Sequence, residues 1–297
     1  MSSPVDEHIP LSSGVELYVL RWEPATAADD AQPWILTHGL ASNARLWDGV
    51  ARRLAERGQY VVTVDQRGHG RSSKPGGPYD VPTCADDLAL LIDALGFDEP
   101  PSVGGQSWGA NVVLELGYRY PEAVSQIVCV DGGFIDLQSQ FPNWDDCAEV
   151  LAPPQLVGTP LDRMQEWINQ SASDWPAEGR AGTMANFEVR ADGTIAPWLT
   201  FERHLKVLRG LWEHRPASRF SQLQVPALLI AADNSHAGGG AGWSSTKQVA
   251  VDNAIEALTC GRVEWFRPAH HDVHAQHPGL IANLLEKTVT DPFFYDC

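Results

Sequence analysis

The chain has 297 residues, of which 43% are hydrophobic and 20% charged, and a formal net charge of −17. These are the proportions of a soluble globular protein, and the length suits one large α/β domain with an insertion or two small domains. The acidic balance argues against a nucleic-acid partner, whose phosphates it would repel, and reads as a solubility feature rather than a pointer to substrate charge.

No apolar run reaches the roughly 18 residues that a membrane helix needs, so no membrane partner is expected. The opening Met1-Ser2-Ser3-Pro4-Val5-Asp6-Glu7 lacks the basic and then apolar pattern of a signal peptide. Cysteines stand at 84, 129, 147, 260 and 297, with no CxxC pair among them. Scattered in this way they read as free thiols of a cytoplasmic protein, with Cys129 simply part of a core strand.

Taken along the chain, Val15-Glu16-Leu17-Tyr18-Val19-Leu20 alternates as a half-exposed strand does. Trp34-Ile35-Leu36-Thr37 is a short apolar run leading into His38-Gly39. Residues 46–57 predict a helix closed by Gly58. The β-branched run at 60–64 predicts a buried strand, followed by the Gly-rich loop Asp65-Gln66-Arg67-Gly68-His69-Gly70-Arg71-Ser72. In that loop Asp65 and Arg67 read as an ion pair tying the loop down. A helix over 83–95 carries Leu88, Leu91, Ile92 and Leu95 on one face and stops at Gly96.

The apolar run Pro101-Ser102-Val103-Gly104 then enters Gly105-Gln106-Ser107-Trp108-Gly109. This is a nucleophile elbow of the form G-x-S-x-G: a strand, a tight turn carrying serine, and a helix. Side chains flanking so strained a turn would crowd it, which is why both flanks are glycine. The helix that follows has apolar residues at 112, 113 and 116 and stops before Pro121.

A strand at 126–130 leads to Asp131-Gly132-Gly133. From about 134 to 220 the texture changes: apolar strands vanish, and Trp144, Trp167, Trp175, Trp198 and Trp212 stand among prolines and short helical patterns. These tryptophans are expected to form the segment's own small core and part of a roof. Strand patterns return at 225–232 and 262–266, separated by the glycine-rich 238–242, and 279–289 predicts an amphipathic helix. Strands alternating with helices imply an α/β fold with a mainly parallel central sheet covered on both faces.

A serine nucleophile needs a base within hydrogen-bond reach and an acid to orient that base. The best source of a base is Pro268-Ala269-His270-His271-Asp272-Val273-His274-Ala275-Gln276-His277-Pro278, between the last strand and the last helix. Its histidines have no accompanying ligand set at the spacing of a zinc motif. No metal is expected, and no cofactor.

In this the chain resembles the α/β-hydrolase superfamily, specifically its cap-bearing serine hydrolases. His38-Gly39-Leu40 resembles the family's oxyanion loop, Asp65 to Ser72 its D-x-R-G-x-G-x-S loop, Gln106-Ser107-Trp108-Gly109 its elbow, and the histidine-rich segment its terminal motif. The resemblance implies a core of residues 1–133 and 221–297 with a helical cap at 134–220. In register on Pro278 it makes His271 the base, with His270 as alternative and His274 and His277 as surface or supporting residues. It puts the acid at Ser235, which cannot act as an anion, and so leaves two carboxylates: Asp131, slightly preferred, and Asp233. It gives the oxyanion hole to the backbone N–H groups of Leu40 and Trp108. His38, Trp47 and Trp144 are expected to line a substrate pocket, with His38 orienting its loop and not acting as a base.

The expected reaction is cleavage of a small apolar or aromatic ester, thioester, lactone or amide through an acyl-enzyme on Ser107, with a small molecule as partner. A carbon–carbon bond hydrolase, another cofactor-free serine-triad enzyme of the same fold, and a non-catalytic ligand-binding protein are the alternatives.

Overall fold

A computed structural model describes residues 3–28, 31–233, 241–291 and 293, with 241–244 as backbone. Its strands are β1 (Val5–Pro10), β2 (Glu16–Trp22), β3 (Trp34–Thr37), β4 (Val61–Val64), β5 (Ser102–Gln106), β6 (Gln126–Val130), β7 (Thr159–Pro160), β8 (Phe187–Val189), β9 (Thr194–Pro197), β10 (Ala227–Ala232) and β11 (Gly261–Phe266). The helices are α1 (Asp48–Glu56), α2 (Val81–Leu95), α3 (Trp108–Arg119), α4 (Leu137–Gln140), α5 (Trp144–Leu151), α6 (Leu161–Ser171), α7 (Ala177–Met184), α8 (Phe201–Glu213), α9 (Ala217–Phe220), α10 (Ala241–Ala257), α11 (Val273–Gln276) and α12 (Pro278–Thr290).

The main sheet runs β1-β2-β4-β3-β5-β6-β10-β11. From β4 to β11 every neighbouring pair is parallel, while β1 and β2 add an antiparallel edge. Strand periodicity sends alternate side chains to opposite faces, and each face has its own core. Ile35 and Leu229 pack with Leu88 and Leu91 of α2 and Val112 and Leu116 of α3. Leu36, Leu228 and Ile230 pack on the other side with Val50 and Leu54 of α1 and Ile281 and Leu285 of α12. This is the doubly covered sheet that the strand–helix alternation predicts.

Local chemistry sets the element ends. Helix α2 starts at Asp80, whose side chain accepts from the Thr83 N–H, and stops at Gly96 in the left-handed conformation with φ 62°. Between 134 and 220 the chain is largely helical, α4 to α9. However, it also contains a three-stranded antiparallel sheet, β7-β9-β8, absent from the sequence expectation. Its strands are only two to four residues long, too short for a two-residue period to be read.

Two further expectations change. Arg67 does not pair with Asp65: its guanidinium bonds both carboxylate oxygens of Asp87 on α2, at 2.5 and 2.6 Å, and the Pro78 carbonyl at 2.9 Å. Asp65 instead accepts from the backbone N–H groups of Ala44 and Arg71. The loop is tied down as expected, but by two separate devices. The side chains of Arg67 and Asp87 are 6% and 4% exposed, and burial pushes the Asp87 carboxyl up even against its cationic partner. Breaking such a pair strands a buried charge. Arg67→Met should therefore lower the unfolding free energy by about 3 kcal/mol or more, read by denaturant titration. A loss under about 1 kcal/mol would mean that the pair is solvated rather than buried.

The second change concerns the cysteines. Cys84, Cys129 and Cys147 are free, and Cys129 is fully buried in β6. Cys260 is disulfide-bonded, so the free-thiol reading does not hold there. Among the described residues no helix is long and apolar enough to cross a membrane.

Candidate active site

In an open parallel sheet, ligands bind beyond the carboxyl ends of the strands. The residues singled out from sequence stand there one after another: His38 after β3, Ser107 after β5, Asp131 after β6, Asp233 after β10 and His271 in the turns after β11.

Ser107 occupies the link between β5 and α3 with φ 55° and ψ −123°, a left-handed conformation that a side-chain-bearing residue adopts only where its surroundings enforce it. The flanking glycines explain how it is held. A Cβ on Gly105 would lie 2.4 Å from the Gly109 carbonyl oxygen, and one on Gly109 would lie 2.3 Å from that of His38. Strand, helix and the 38–40 loop thus meet backbone to backbone, and α3 directs its N-terminus at the turn. Trp108 is the first residue of that helix, so its N–H is one of the orphan donors of a helix start. Besides Ser107, the described non-glycine residues with positive φ are Ala41 (58°) and Asp131 (44°). All three border cavities that Ser107 lines: Asp131 the one and Ala41 the other.

His271 Nδ1 lies 2.6 Å from Asp131 Oδ2. The carboxylate is fully buried, whereas the imidazole side chain is 44% exposed. The Asp131 backbone N–H donates to the Ile230 carbonyl at 2.6 Å, and its Oδ1 accepts from the Ala232 N–H at 2.9 Å. Enclosure pushes the His271 imidazole down, but the bond to Asp131 and its charge outweigh this and leave it above the ordinary histidine range. Burial would likewise push the Asp131 carboxyl up. Instead His271 and the ammonium of Lys247 hold it below the usual carboxylate range.

Lys247, on α10, is the residue that sequence reasoning missed. Its Nζ lies 2.8 Å from each Asp131 oxygen and 2.7 Å from the Ala232 carbonyl. The signal for its helix was present, since Ala250, Val251, Ala254 and Ile255 recur at helical spacing.

The alternatives make other contacts. His270 packs its ring 5.9 Å from Trp175. Asp233 bonds through its backbone to Phe266 and Ala269. Ser235 lies outside the described residues. His274 is not at the surface: it is fully buried, lies against Trp47 at 4.3 Å, and is pushed down to about 3 by burial. Among the described residues no three His, Cys, Asp or Glu side chains are grouped as a metal ion would need.

Contrary to the sequence expectation, His38 and Trp47 do not line the cavities that Ser107 opens into; both are fully buried. His38 Nδ1–H donates to the Gly39 carbonyl at 2.7 Å and Nε2 accepts from the Gln66 N–H at 3.0 Å, so the ring pins the loop as a neutral imidazole. Trp47 donates its Nε1–H to the Thr37 carbonyl, an indole satisfied by the core it fills. Trp144 packs edge-on against Trp212 at 6.0 Å, with Arg209 over both rings, and does not line these cavities either.

Ser107 and His271 border two cavities. The larger, about 500 Å³, is walled by Leu40 and by Phe134, Ile135, Leu137, Leu151, Leu208 and Leu211, with no tryptophan among the described residues. The smaller, about 280 Å³, reaches Trp167 and Trp175. The expected tryptophan roof is thus confined to the smaller cavity, and mostly aliphatic side chains of the 134–220 segment, with Phe134, cover the larger one.

Helix α3 also holds both ends of that segment. Asn111 donates to the Ile135 carbonyl and contacts His214 Nδ1, accepting in turn from the Gly133 N–H. Glu115 bonds His214 and Arg219.

A family model of the alpha/beta hydrolase fold matches residues 33–277. A 2-(acetamidomethylene)succinate hydrolase from Mesorhizobium japonicum is 37% identical over 219 residues, 72% of this chain and 75% of that protein. An uncharacterized protein of Mycobacterium tuberculosis is 33% identical over 99 residues, which span 33% of this chain but only 28% of that protein. Among solved structures, that of E-2-(acetamidomethylene)succinate hydrolase superposes with a TM-score of 0.74 at 22% identity, covering 99% of this chain and 100% of the other. Sheet order, elbow and family match agree, and the chain belongs to the alpha/beta hydrolase fold family.

Proposed function

We propose that the chain is a serine hydrolase cleaving a small carboxylic ester, thioester, lactone or amide with an apolar body, through an acyl-enzyme on Ser107. The observation carrying this reading is the 2.6 Å contact between His271 Nδ1 and the buried Asp131 carboxylate, beside a serine on a strained elbow that borders the same cavity. With Nδ1–H donating to Asp131, the lone pair of His271 is on Nε2, free to take a proton. Asp131 fixes that tautomer and stabilises the imidazolium that forms.

Ser107 Oγ attacks the substrate carbonyl as His271 takes its proton. The oxygen that becomes negative is held by the N–H groups of Leu40 and Trp108, aided by the positive end of α3. The tetrahedral intermediate collapses, the leaving group departs with the proton from His271, and the acyl group stays on Ser107. Water, deprotonated by His271, then releases the acid and restores the serine.

The aliphatic wall of the larger cavity supports an apolar substrate body. An amide within the class is supported by the relative named for an acetamido substrate. That relative's succinate is a dianion, whereas the cation lining the larger cavity, Lys247, is already engaged by Asp131. This favours a less charged substrate here. A series of p-nitrophenyl esters tests the class. Each methylene buried contributes about 0.8 kcal/mol, so kcat/KM should rise roughly fourfold per added methylene until the cavity is full. A flat or falling series would refute an apolar acyl site.

A further inference from the structure

We propose that Lys247 is a positioning residue of this reaction: its ammonium, clamped on both oxygens of Asp131, limits how strongly that carboxylate holds a proton on His271 and so sets the pH at which the base becomes free. The inference rests on the reading of Ser107, His271 and Asp131 as the reacting set.

An orienting carboxylate raises the basicity of its histidine by stabilising the imidazolium. Asp131 is fully buried, so its charge is little screened by solvent, and with His271 as its one charged partner it would hold the imidazolium more tightly. A protonated histidine cannot act as a base. The ammonium of Lys247, 2.8 Å from each carboxylate oxygen, offsets part of that field. Its third contact, to the Ala232 carbonyl at 2.7 Å, joins it to the same strand end whose N–H already donates to Asp131 Oδ1. The clamp therefore spans the ends of β6 and β10 from α10. With an 18% exposed side chain, Lys247 reaches the carboxylate from the rim and lines the larger cavity on the way.

The other groups facing His271 do not supply this charge. Asp272, next in the chain, is pushed up by burial. His274 and His38 are pushed down by burial and stay neutral. His270 packs on Trp175, and Asp233, next in the chain after β10, is an acid. Among the described residues, the cation bonded to the pair is Lys247.

Removing the ammonium should let Asp131 hold the imidazolium more tightly. A like charge near a titrating group shifts it by about one unit or more. In Lys247→Met and Lys247→Gln, the His271 ring, followed by its proton NMR titration and assigned by its loss in His271→Gln, should titrate about one pH unit higher than in the unaltered protein. The acid limb of kcat/KM, which reports the base of the free enzyme, should move up with it. Lys247→Arg keeps the charge and should leave both near their original pH. A lysine that merely fastened α10 would lower the plateau rate and leave the titration where it was. An unmoved His271 titration in folded Met or Gln variants, checked by their melting curves, overturns the proposal. The titration needs no turnover, so it decides the role of Lys247 separately from the hydrolase reading, which fails instead if fluorophosphonate leaves wild-type Ser107 unlabelled.

Discussion

Ser107→Ala should lower kcat on an activated ester by about 10⁶-fold, the order of loss when the nucleophile of a serine triad is removed. The protein itself should remain folded. Ser107 is held by contacts of its backbone: its N–H donates to the Val130 carbonyl at 2.9 Å, and its carbonyl accepts from Ala110 at 3.0 Å. Alanine keeps both bonds and the same strained φ. The substitution therefore removes the attacking oxygen without dismantling the elbow. A Ser107→Ala protein that retained more than about a hundredth of the activity would show that hydrolysis uses another group or water alone.

Asp131→Asn should cost about 10⁴-fold in kcat, while Asp233→Asn should change it only a few-fold. The amide keeps the size of the carboxylate but supplies no charge for the imidazolium, and its NH₂ would face His271 Nδ1 with a second donor. The ring would then turn or change tautomer, exposing N–H rather than a lone pair to Ser107. Lys247 adds to the cost, because the same change leaves its ammonium without a counter-ion. Asp131 also sits at φ 44°, anchored on β10 through Ile230 and Ala232, so the side chain has little freedom to find another partner. Kinetics of the two variants on one ester decide between the carboxylates. A larger loss in Asp233→Asn would reverse the assignment.

The elbow was legible because its requirement is local. A serine on a strand-to-helix turn needs glycine at 105 and 109, and the backbone approaches of 2.4 and 2.3 Å are the spatial form of that need. The proposed base was legible only in register with Pro278, since four histidines crowd one short segment and only the packing of the turns after β11 turns His271 to Asp131. The partner of His271 was only partly legible: Asp131 is slightly preferred because Ser235 fills the usual slot, but Asp131 and Asp233 each follow a sheet strand, and neither neighbourhood says which carboxylate meets a histidine 140 or 38 residues on. Arg67 could not be paired from sequence either, because Asp87 lies a helix away on α2 while Asp65 is adjacent. Trp47 shows the limit of reading aromatic residues as ligand contacts. Its indole is satisfied by Thr37 within the core, and the apolar part of the larger cavity's wall is mainly leucines, which carry no functional signature.

The comparison that bears most directly on the reaction is mass analysis of the protein after exposure to a fluorophosphonate. The geometry of Ser107, His271 and Asp131 predicts one covalent adduct per chain, mapped to the peptide containing Ser107 and abolished in Ser107→Ala and by prior denaturation. Folded wild-type protein that forms no adduct, or forms it at another serine, would contradict a serine nucleophile at the elbow.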